Sequence, residues 1–139
     1  MHVGCVCADP SMTVSQAAGI MEKKGIGAMP VLRRGGGLAG MVTDRDLVVR
    51  CLATERDPAT TLVGDIVDGP VICIDRDATL REALSLMEEH MIRRLPVLDD
   101  QPEPIGMISQ GDIATRGGAS LVGELVKAVS TGPALQHAL

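Results

Sequence analysis

The chain of 139 residues contains no Phe, Trp or Tyr. Without an aromatic ring, no nucleobase can be stacked in the way that single-strand nucleic-acid-binding proteins use. The core must consist of Ile, Leu, Val, Ala and Met, so a planar ligand would have to lie between aliphatic side chains and be recognised by backbone groups.

Basic residues and long apolar runs are also scarce. Thirteen Lys and Arg against 18 Asp and Glu give a net charge of −5, which disfavours a nucleic-acid-binding surface. No apolar run approaches the roughly 20 residues of a membrane-spanning helix, and the N-terminus lacks the basic and then apolar pattern of a signal peptide. We therefore expect a soluble, cytoplasmic protein with no nucleic-acid or membrane partner.

The sequence repeats itself with a shift of 66 residues. Residues 5–50 align on residues 71–116 without a gap, and fourteen of the 46 positions are identical. The identical pairs include Cys7/Cys73, Asp9/Asp75, Thr13/Thr79, Pro30/Pro96 and Asp46/Asp112. So long an ungapped register predicts two copies of one fold unit.

Each copy has the same predicted order of elements, β-α-β-β-α. A β-rich segment precedes a helix whose start is marked by a capping box, Thr13 with Gln16 and Thr79 with Glu82. Gly25 is expected to end the first of these helices in the left-handed conformation. The predicted strands are 3–8, 28–32 and 38–42 in the first copy and 71–74, 94–98 and 105–109 in the second, and further helices follow residues 43 and 109.

These patterns predict a first domain at residues 1–53, a polar linker at 54–61, a second domain at 62–118 and a C-terminal helix with a tail at 119–139. Residues 62–67 form a predicted helical turn that leads into the second copy. The first copy has no such turn before it, so we expect that its N-terminal lead-in element is missing. Apolar residues at helical spacing predict that the C-terminal helix docks on the body or on a partner: Leu121, Val122, Leu125, Val126 and Val129.

Two pairs of motifs carry a resemblance to a known family: GIGAMPVL at 25–32 with GMVTDRD at 40–46, and MIRRLPVL at 91–98 with GMISQGD at 106–112. They resemble the CBS domain, and the doubled unit is similar to the CBS-domain pair, or Bateman module, of small stand-alone bacterial proteins. The resemblance implies an α/β (α+β) fold of tandem CBS domains, with two β-α-β-β-α repeats related by a pseudo-two-fold axis. It also implies clefts between the repeats that bind adenosine-containing ligands, and a homodimer.

The resemblance also assigns site residues. Asp46 and Asp112 would hold the ribose, and Arg45 would contact phosphate. Further phosphate contacts would come from Thr43, Ser109 and Arg94. The base pocket would be formed by the Pro-Val segments and the residues before them: Ala28, Met29, Pro30, Leu95 and Pro96.

The Thr/Ser-x-x-Asp elements at 43–46 and 109–112 have a second interpretation. They match capping boxes, in which each side chain satisfies a free backbone N–H at a helix start. Each aspartate also precedes an arginine by four positions, Arg50 or Arg116. These arginines are expected either to form surface ion pairs with the aspartates or to neutralise the charge of a bound phosphate. The sequence leaves the alternatives open.

The two candidate sites differ in charge. The second copy has Arg93 and Arg94 where the first has Gly27 and Ala28. A planar guanidinium suits phosphate, so we expect the second site to bind better.

The turns between the paired strands differ as well. Arg33 and Arg34 in the first copy stand where the second has Asp99 and Asp100, and Glu103 adds a further acid. Solvated turns of opposite sign and complementary contacts in a head-to-tail dimer both fit this reversal.

Neither a metal site nor an enzyme activity is expected. His2, Cys5 and Cys7 suit zinc, but only three ligands are visible, and small buried cysteines fit the same pattern. The glycine-rich run at 35–40 matches a dinucleotide-binding fingerprint, yet a strand follows where a helix is required, so a hairpin turn is expected. The sequence carries no catalytic motif and indicates no required cofactor.

The sequence supports two functional hypotheses. The first is a regulatory module that senses AMP, ADP, ATP or S-adenosylmethionine and signals through a homodimer to an unknown protein partner. The second is a structural or stress-response interaction protein whose sites are empty or respond to metal or redox state. Because the capping and ligand-binding interpretations share residues, the sequence does not separate these hypotheses.

Overall fold

The computed structural model describes residues 5–67, 69, 71–115 and 121–131. These residues form two compact units, one of Val6–Val71 and one that begins at Ile72. Each unit buries its own cluster of aliphatic side chains, so the two repeats have separate cores. Among the described residues, no helix is long and apolar enough to cross a membrane.

The first unit contains helix α1 (Val14–Lys24), strands β1 (Ala28–Leu32) and β2 (Leu38–Thr43), a helical turn α2 (Asp44–Asp46) that continues as a π-helix (Leu47–Leu52), and helix α3 (Val63–Ile66). β1 and β2 pair antiparallel, which confirms the predicted hairpin. Val14, Ala17 and Met21 lie on one face of α1 and are buried with Val31 and Val42 of the strands.

The second unit contains strand β3 (Ile74–Asp75), helix α4 (Leu80–His90), strands β4 (Arg94–Leu98) and β5 (Gly106–Ser109), and helices α5 (Gln110–Thr115) and α6 (Val122–Thr131). The sheet order is β3-β4-β5, with β3 parallel and β5 antiparallel to β4. Leu80, Ala83 and Met87 of α4 are buried at the positions equivalent to those that α1 buries. The predicted order β-α-β-β-α is confirmed in this unit.

The predicted capping boxes are confirmed at one helix and corrected at the other. At α1, the Gln16 amide donates to the Thr13 hydroxyl (3.1 Å) and the Thr13 amide donates to the Gln16 side chain (2.9 Å). At α4, the Glu82 amide donates to the Thr79 hydroxyl (3.1 Å), but the Glu82 carboxylate accepts from that hydroxyl (3.2 Å). The second box is only half formed, because the Glu82 carboxylate accepts a hydrogen bond from the Thr79 hydroxyl instead of from the Thr79 backbone amide.

The same two helices end differently. Gly25 ends α1 with φ 66°, the left-handed conformation predicted for it. Met91 ends α4 with φ 55°, and its side chain is 91% exposed. A residue with a Cβ is strained in this conformation, so α4 ends at a less favourable residue than α1.

The predicted strand at residues 3–8 is wrong in the part that the structure describes. Residues 3 and 4 lie outside the described residues, the next three form no regular structure, and Ala8 makes a single parallel bridge to Val31. The Asp9 carboxylate accepts from the Ser11 amide (2.8 Å) and turns the chain directly after Ala8. The matching segment of the second copy does form a strand, but at β3 rather than at 71–74.

Helix α3 packs in the first unit. The Val63 amide donates to the Met12 carbonyl (2.8 Å) and the Gly64 amide to the Pro10 carbonyl (2.9 Å). Val63 and Ile66 are buried in the first cluster. The predicted helical turn is thus confirmed, but it packs on the copy that precedes it rather than leading into the second. The predicted domain limits themselves stay a prediction.

Helix α6 repeats this packing in the second unit. The Val122 amide donates to the Ala78 carbonyl and the Gly123 amide to the Arg76 carbonyl, both at 2.8 Å, and these acceptors are the repeat equivalents of those that α3 uses. LVGDIV at 62–67 and LVGELV at 121–126 are therefore one repeated element. The element follows each copy at a spacing that an ungapped comparison misses, and the expected absence of a lead-in element before the first copy stays a prediction.

Candidate functional site

In the first unit, Thr43 and Asp46 lie where β2 ends and α2 begins. The Asp46 amide donates to the Thr43 hydroxyl (3.1 Å), and the Thr43 amide donates to Asp46 Oδ2 (2.8 Å). Both residues are half-buried. The capping interpretation of this motif is confirmed, so any ligand at Asp46 would share the carboxylate with the cap.

The second oxygen of Asp46 is paired with an arginine of the same helical segment. Arg50 Nε lies 3.5 Å from Asp46 Oδ1, and the two side chains are 43% and 26% exposed. Arg50 Nη1 also donates to the Ile66 carbonyl (3.4 Å). Arg45, the other predicted cation here, is exposed. An i,i+4 ion pair of this exposure stabilises a helix by about 0.3–0.5 kcal/mol, so the ion pair with Asp46 contributes little to holding Arg50 in place.

In the second unit, the same arrangement joins Ser109 and Asp112. The Asp112 amide donates to the Ser109 hydroxyl (3.0 Å), and the Ser109 amide donates to Asp112 Oδ2 (2.8 Å). Arg94 is exposed and lies directly opposite Ser109 in the β4–β5 register, a place that Ala28 takes in the first unit. The structure thus places an arginine opposite one capping box and an alanine opposite the other. Arg116, the expected partner of Asp112, lies outside the described residues.

Sequence reasoning missed a contact between two residues that differ between the sites. Gly27 packs against Asp44 so closely that a Cβ on Gly27 would lie 3.0 Å from Asp44 Oδ2. The repeat equivalents of Gly27 and Asp44 are Arg93 and Gln110. The backbone N–H of Gln110 donates to the Arg93 carbonyl (2.8 Å). The joint change from glycine with an acid to arginine with an amide was the available signal. The first candidate site gains a carboxylate where the second gains an arginine.

The residues predicted to form the base pocket have buried side chains. Met29 and Leu95 belong to the two hydrophobic clusters, Pro30 and Pro96 are fully buried, and Ala28 is 7% exposed. Their side chains serve packing, so only the backbone of these segments remains for the expected recognition of a base. Their role in ligand binding stays a prediction.

Two shallow depressions lie away from these residues, at equivalent places in the two units. The depression along α1 is lined by residues that include Gln16, Gly19, Ile20 and Lys23. The depression along α4 is lined by residues that include their repeat equivalents Glu82, Ser85, Leu86 and Glu89. Neither depression contains a residue predicted to bind a ligand.

The candidate metal ligands do not form a site in the described part of the chain. His2 lies outside it, and Cys5 and Cys7 are half-buried. No three His, Cys, Asp or Glu side chains among the described residues are grouped closely enough to hold a metal ion. Burial raises the pKa of the Cys73 thiol, the repeat equivalent of Cys7. A thiol that stays protonated is a poor nucleophile and a poor metal ligand.

The capping boxes at the ends of β2 and β5 and the repeated packing of α3 and α6 show that one domain is duplicated. Comparison with known families identifies the family of that domain. Residues 1–52 and 63–117 match the model of the CBS domain. This chain belongs to the CBS domain family. Its fold is therefore an α/β CBS-domain pair, as the sequence motifs predicted.

Small CBS proteins of similar length are among its relatives. The chain is 34% identical over 135 residues to Hypoxic response protein 1 of Mycobacterium tuberculosis, a match that covers 97% of this chain and 94% of the relative. It is 37% identical over 105 residues to the CBS domain-containing protein YhcV of Bacillus subtilis, which covers 76% and 73%. The chain is therefore similar to stand-alone CBS proteins.

Solved CBS structures share its fold. The structure of Hypoxic Response Protein I with two coordinated zinc ions has a TM-score of 0.74 at 35% identity and covers 81% of this chain and 91% of that one. The CBS domain pair of protein MJ0100, in complex with 5-methylthioadenosine and S-adenosyl-L-methionine, has a TM-score of 0.69 and covers 80% and 86%. At 24% identity, the second likeness concerns the fold alone.

Proposed function

We propose that this protein is a non-catalytic regulatory module of the cytoplasm that senses an adenosine-containing ligand and signals, as a homodimer, to a partner protein. The ligand class is an adenine nucleotide or S-adenosylmethionine. The observation that carries the proposal is a repeated half-buried carboxylate, Asp46 in one unit and Asp112 in the other, held at the end of a strand. Membership of a family whose pairs bind adenosyl ligands supports it.

Each carboxylate suits the two hydroxyl groups of a ribose. Asp112 Oδ2 accepts from the Ser109 amide, which uses part of its capacity. An ionised carboxylate offers about four acceptor positions, so both ribose hydroxyls can still be bound. Hydrogen bonds to a charged acceptor are roughly twice as strong as neutral ones, so the carboxylate holds two ribose hydroxyls more strongly than a neutral side chain would.

Charge favours the second unit for a ligand that carries phosphate. Arg94 lies opposite Ser109, and Arg93 directly precedes it. In the first unit, the carboxylate of Asp44 lies against Gly27 instead. A phosphate is attracted by the arginines and repelled by the acid, so the second unit is the proposed site for AMP, ADP or ATP.

A homodimer is supported by an apolar surface on the π-helix. Val48, Val49 and Leu52 are 55%, 43% and 56% exposed, whereas Leu47 and Cys51 of the same helix are buried. A contiguous exposed apolar face of this kind is typical of protein–protein contact. A ligand that binds one conformation better than another would shift the population of dimer states that the partner protein recognises.

The decisive experiment is thermal unfolding followed by circular dichroism, since the chain has no Trp or Tyr. AMP, ADP, ATP, S-adenosylmethionine and adenosine are each added in excess. A ligand at about 100 times its dissociation constant stabilises by roughly 2.7 kcal/mol, or several degrees. We expect at least one phosphate-bearing ligand to stabilise more than adenosine, and Arg94→Ala to remove that difference.

Asp112→Asn separates ligand binding from capping. The amide oxygen can still accept from the Ser109 amide, but the charge is lost, so we expect at least about tenfold weaker binding with little change in the ligand-free midpoint. Asp65→Asn is the matched control, because Asp65 Oδ2 caps the Leu62 amide in the same way (3.2 Å) outside the predicted sites. Unchanged affinity in Asp112→Asn would contradict the ribose assignment.

A panel without any shift would favour the alternative function, a structural or stress-response interaction protein. The name of the relative Hypoxic response protein 1 supports that alternative. Zinc belongs in the panel because a related structure contains two zinc ions, although no three ligands group in the described part of this chain. Stabilisation by zinc alone would favour a metal-responsive module.

A further inference from the structure

Met91 differs in exposure from every other methionine that the structure describes. It is 91% exposed, whereas Met87, four positions earlier in α4, is 2% exposed. The other described methionines are also shielded from water. They are buried at Met21 and Met29 and half-buried at Met12, Met41 and Met107. One thioether of the described chain is therefore open to reagents in water.

Neither packing nor backbone conformation accounts for a methionine at this position. Met91 has φ 55° at the end of α4, and its repeat equivalent in α1 is Gly25, with φ 66°. A Cβ is strained in this left-handed conformation, and a side chain as exposed as that of Met91 regains nothing by burial. A strained residue that the core does not use points to a function of its side chain.

The turn that contains Met91 is held by backbone hydrogen bonds. The Met91 amide donates to the Glu88 carbonyl (3.3 Å), and the Ile92 amide donates to the Met87 carbonyl (2.9 Å). A polar group added to the Met91 side chain would therefore meet water and leave these bonds in place. The same group on Met87 would lie inside the second hydrophobic cluster and disrupt its packing.

A peroxide oxidises a thioether by transferring one oxygen atom. The sulfur attacks one peroxide oxygen, the O–O bond breaks and an S–O bond forms. The sulfur loses two electrons, and the proton of the transferred oxygen passes to the leaving hydroxide, so the products are a sulfoxide and water. A methionine sulfoxide reductase reverses the change. Two thiols then supply the electrons, become a disulfide, and the oxygen leaves as water.

Met91 also begins the loop that leads to the second candidate site. The Arg93 carbonyl accepts from the backbone N–H of Gln110, the first residue of α5 (2.8 Å), and Arg94 begins β4. A sulfoxide would thus add a polar acceptor to the loop that precedes these arginines. In the first unit, Gly25 has no side chain to oxidise, so the change is confined to one repeat.

We propose that Met91 is a site of reversible oxidation by hydrogen peroxide or an organic hydroperoxide, and that the folded chain carries the sulfoxide without losing its structure. The proposal goes beyond the proposed function and needs no bound ligand, because the exposure and the backbone conformation of Met91 belong to the chain alone. It gives the second repeat a chemical modification that the first cannot undergo at the equivalent residue.

The test is timed oxidation of the whole chain by hydrogen peroxide, followed by peptide mass spectrometry. Reaction near about pH 6 keeps thiols of ordinary pKa protonated and slow, whereas a thioether has no proton to lose. Digestion after glutamate separates Met87 from Met91, since Glu88 and Glu89 lie between them. We expect the Met91 peptide to gain one oxygen atom at least about tenfold faster than the Met87 peptide.

Two variants and two treatments isolate the cause. Met91→Leu removes the exposed sulfur and should abolish the fast reaction, whereas the matched control Met87→Leu should keep it. In urea, the Met87 and Met91 peptides of the wild type should react at rates within about twofold of each other, because burial no longer protects either. A methionine sulfoxide reductase with dithiothreitol should return the oxidised Met91 peptide to its original mass.

Thermal unfolding of the singly oxidised chain tests whether the fold survives the modification. A polar group on an exposed side chain has little effect on stability, so the midpoint should lie within about 2 °C of that of the untreated chain. Circular dichroism measures both midpoints.

Three results would overturn the proposal. Equal oxidation rates at Met87 and Met91 in the folded chain would show that Met91 is not preferentially open to peroxide. A much lower midpoint after oxidation of Met91 alone would make the reaction damage and not a modification that the fold tolerates. A Met91 rate that falls as the protein concentration rises would mean that a second copy covers the residue. None of these results bears on the ligand panel, which is measured without peroxide.

Discussion

Gly25 and Met91 take the same place in the two repeats, directly after a helix, yet only one of them suits its backbone. Both have positive φ, 66° and 55°. Glycine adopts this conformation without strain, whereas a residue with a Cβ loses about 1–2 kcal/mol. The exposed side chain of Met91 regains none of this by burial. The second repeat is therefore less stable at this residue than the first.

Met91→Gly should stabilise the protein by about 0.5–1 kcal/mol, since relief of the left-handed strain exceeds the added flexibility of the unfolded chain. The urea midpoint measures the change. Gly25→Ala is the converse variant and should lower the midpoint, because it introduces the same strain into α1. A lower midpoint for Met91→Gly would show that the Met91 side chain makes a stabilising contact.

Cys73 should react slowly with iodoacetamide in the folded chain. Burial raises its pKa, so less thiolate is present near pH 8 than in the unfolded chain. Because the folded chain favours the protonated thiol, Cys73 also makes a contribution to stability. That contribution is complete below the ordinary thiol pKa and is lost as the pH rises through the raised pKa. Mass spectrometry of the Cys73 peptide, with and without urea, measures the rates. Equal rates would contradict the shift.

At the scale of elements, α3 and α6 approach the preceding copy so closely that each needs a glycine. A Cβ on Gly64 would lie 3.1 Å from the Pro10 carbonyl oxygen, and one on Gly123 would lie 3.0 Å from the Arg76 carbonyl oxygen. A backbone oxygen cannot swing aside as the end of a long side chain can. The shared glycine of the two hexapeptides is thus a packing requirement of the repeated element.

Gly64→Ala and Gly123→Ala should each destabilise the protein by about 1–3 kcal/mol, because the added methyl group forces the helix away from the carbonyl. Gly19→Ala is the matched control: it lies inside α1, a Cβ there meets nothing within 4 Å, and it should stabilise by about 0.5–1 kcal/mol. Chemical denaturation measures all three. A neutral Gly123→Ala would mean that α6 packs less tightly than described.

At the scale of the whole molecule, one chain contains two separate hydrophobic clusters. Residues from α3 complete the first cluster, and residues from α6 complete the second. Because each unit has its own cluster, we expect loss of packing in one unit to open that unit before the other. A regulatory module of two such units can respond to a ligand in one repeat while the other keeps its structure.

Leu125→Ala tests this separation. Leu125 of α6 is 1% exposed, so its truncation should cost about 2–5 kcal/mol. Hydrogen exchange followed by mass spectrometry should show faster exchange from Ile72 onward and nearly unchanged exchange in Val6–Val71. Val63→Ala, in α3, should give the opposite pattern. Equal acceleration in both units would mean that they unfold as one cooperative body.

Much of the candidate site was predictable from local patterns, because a capping motif fixes how its two residues lie relative to each other at the start of a helix. Thr43 with Asp46 lies at a strand end as expected, since the spacing of three residues is enforced by the first turn of a helix. The neighbour of the second box was not predictable in the same way. Arg94 lies opposite Ser109 only because of the β4–β5 register, which joins residues far apart in the chain.

The sequence by itself determined the duplication, the β-α-β-β-α order of the second copy, the end of α1 at Gly25 and the opposite charges of the two turns, because periodicity, caps and composition act within a few residues. Only the tertiary structure decided that α3 and α6 close the repeat before them, that Asp44 lies against Gly27, and that Met29 is a core residue. Each of these depends on which distant segments come within a few ångströms. That is settled by packing and strand register, which no short stretch of sequence contains.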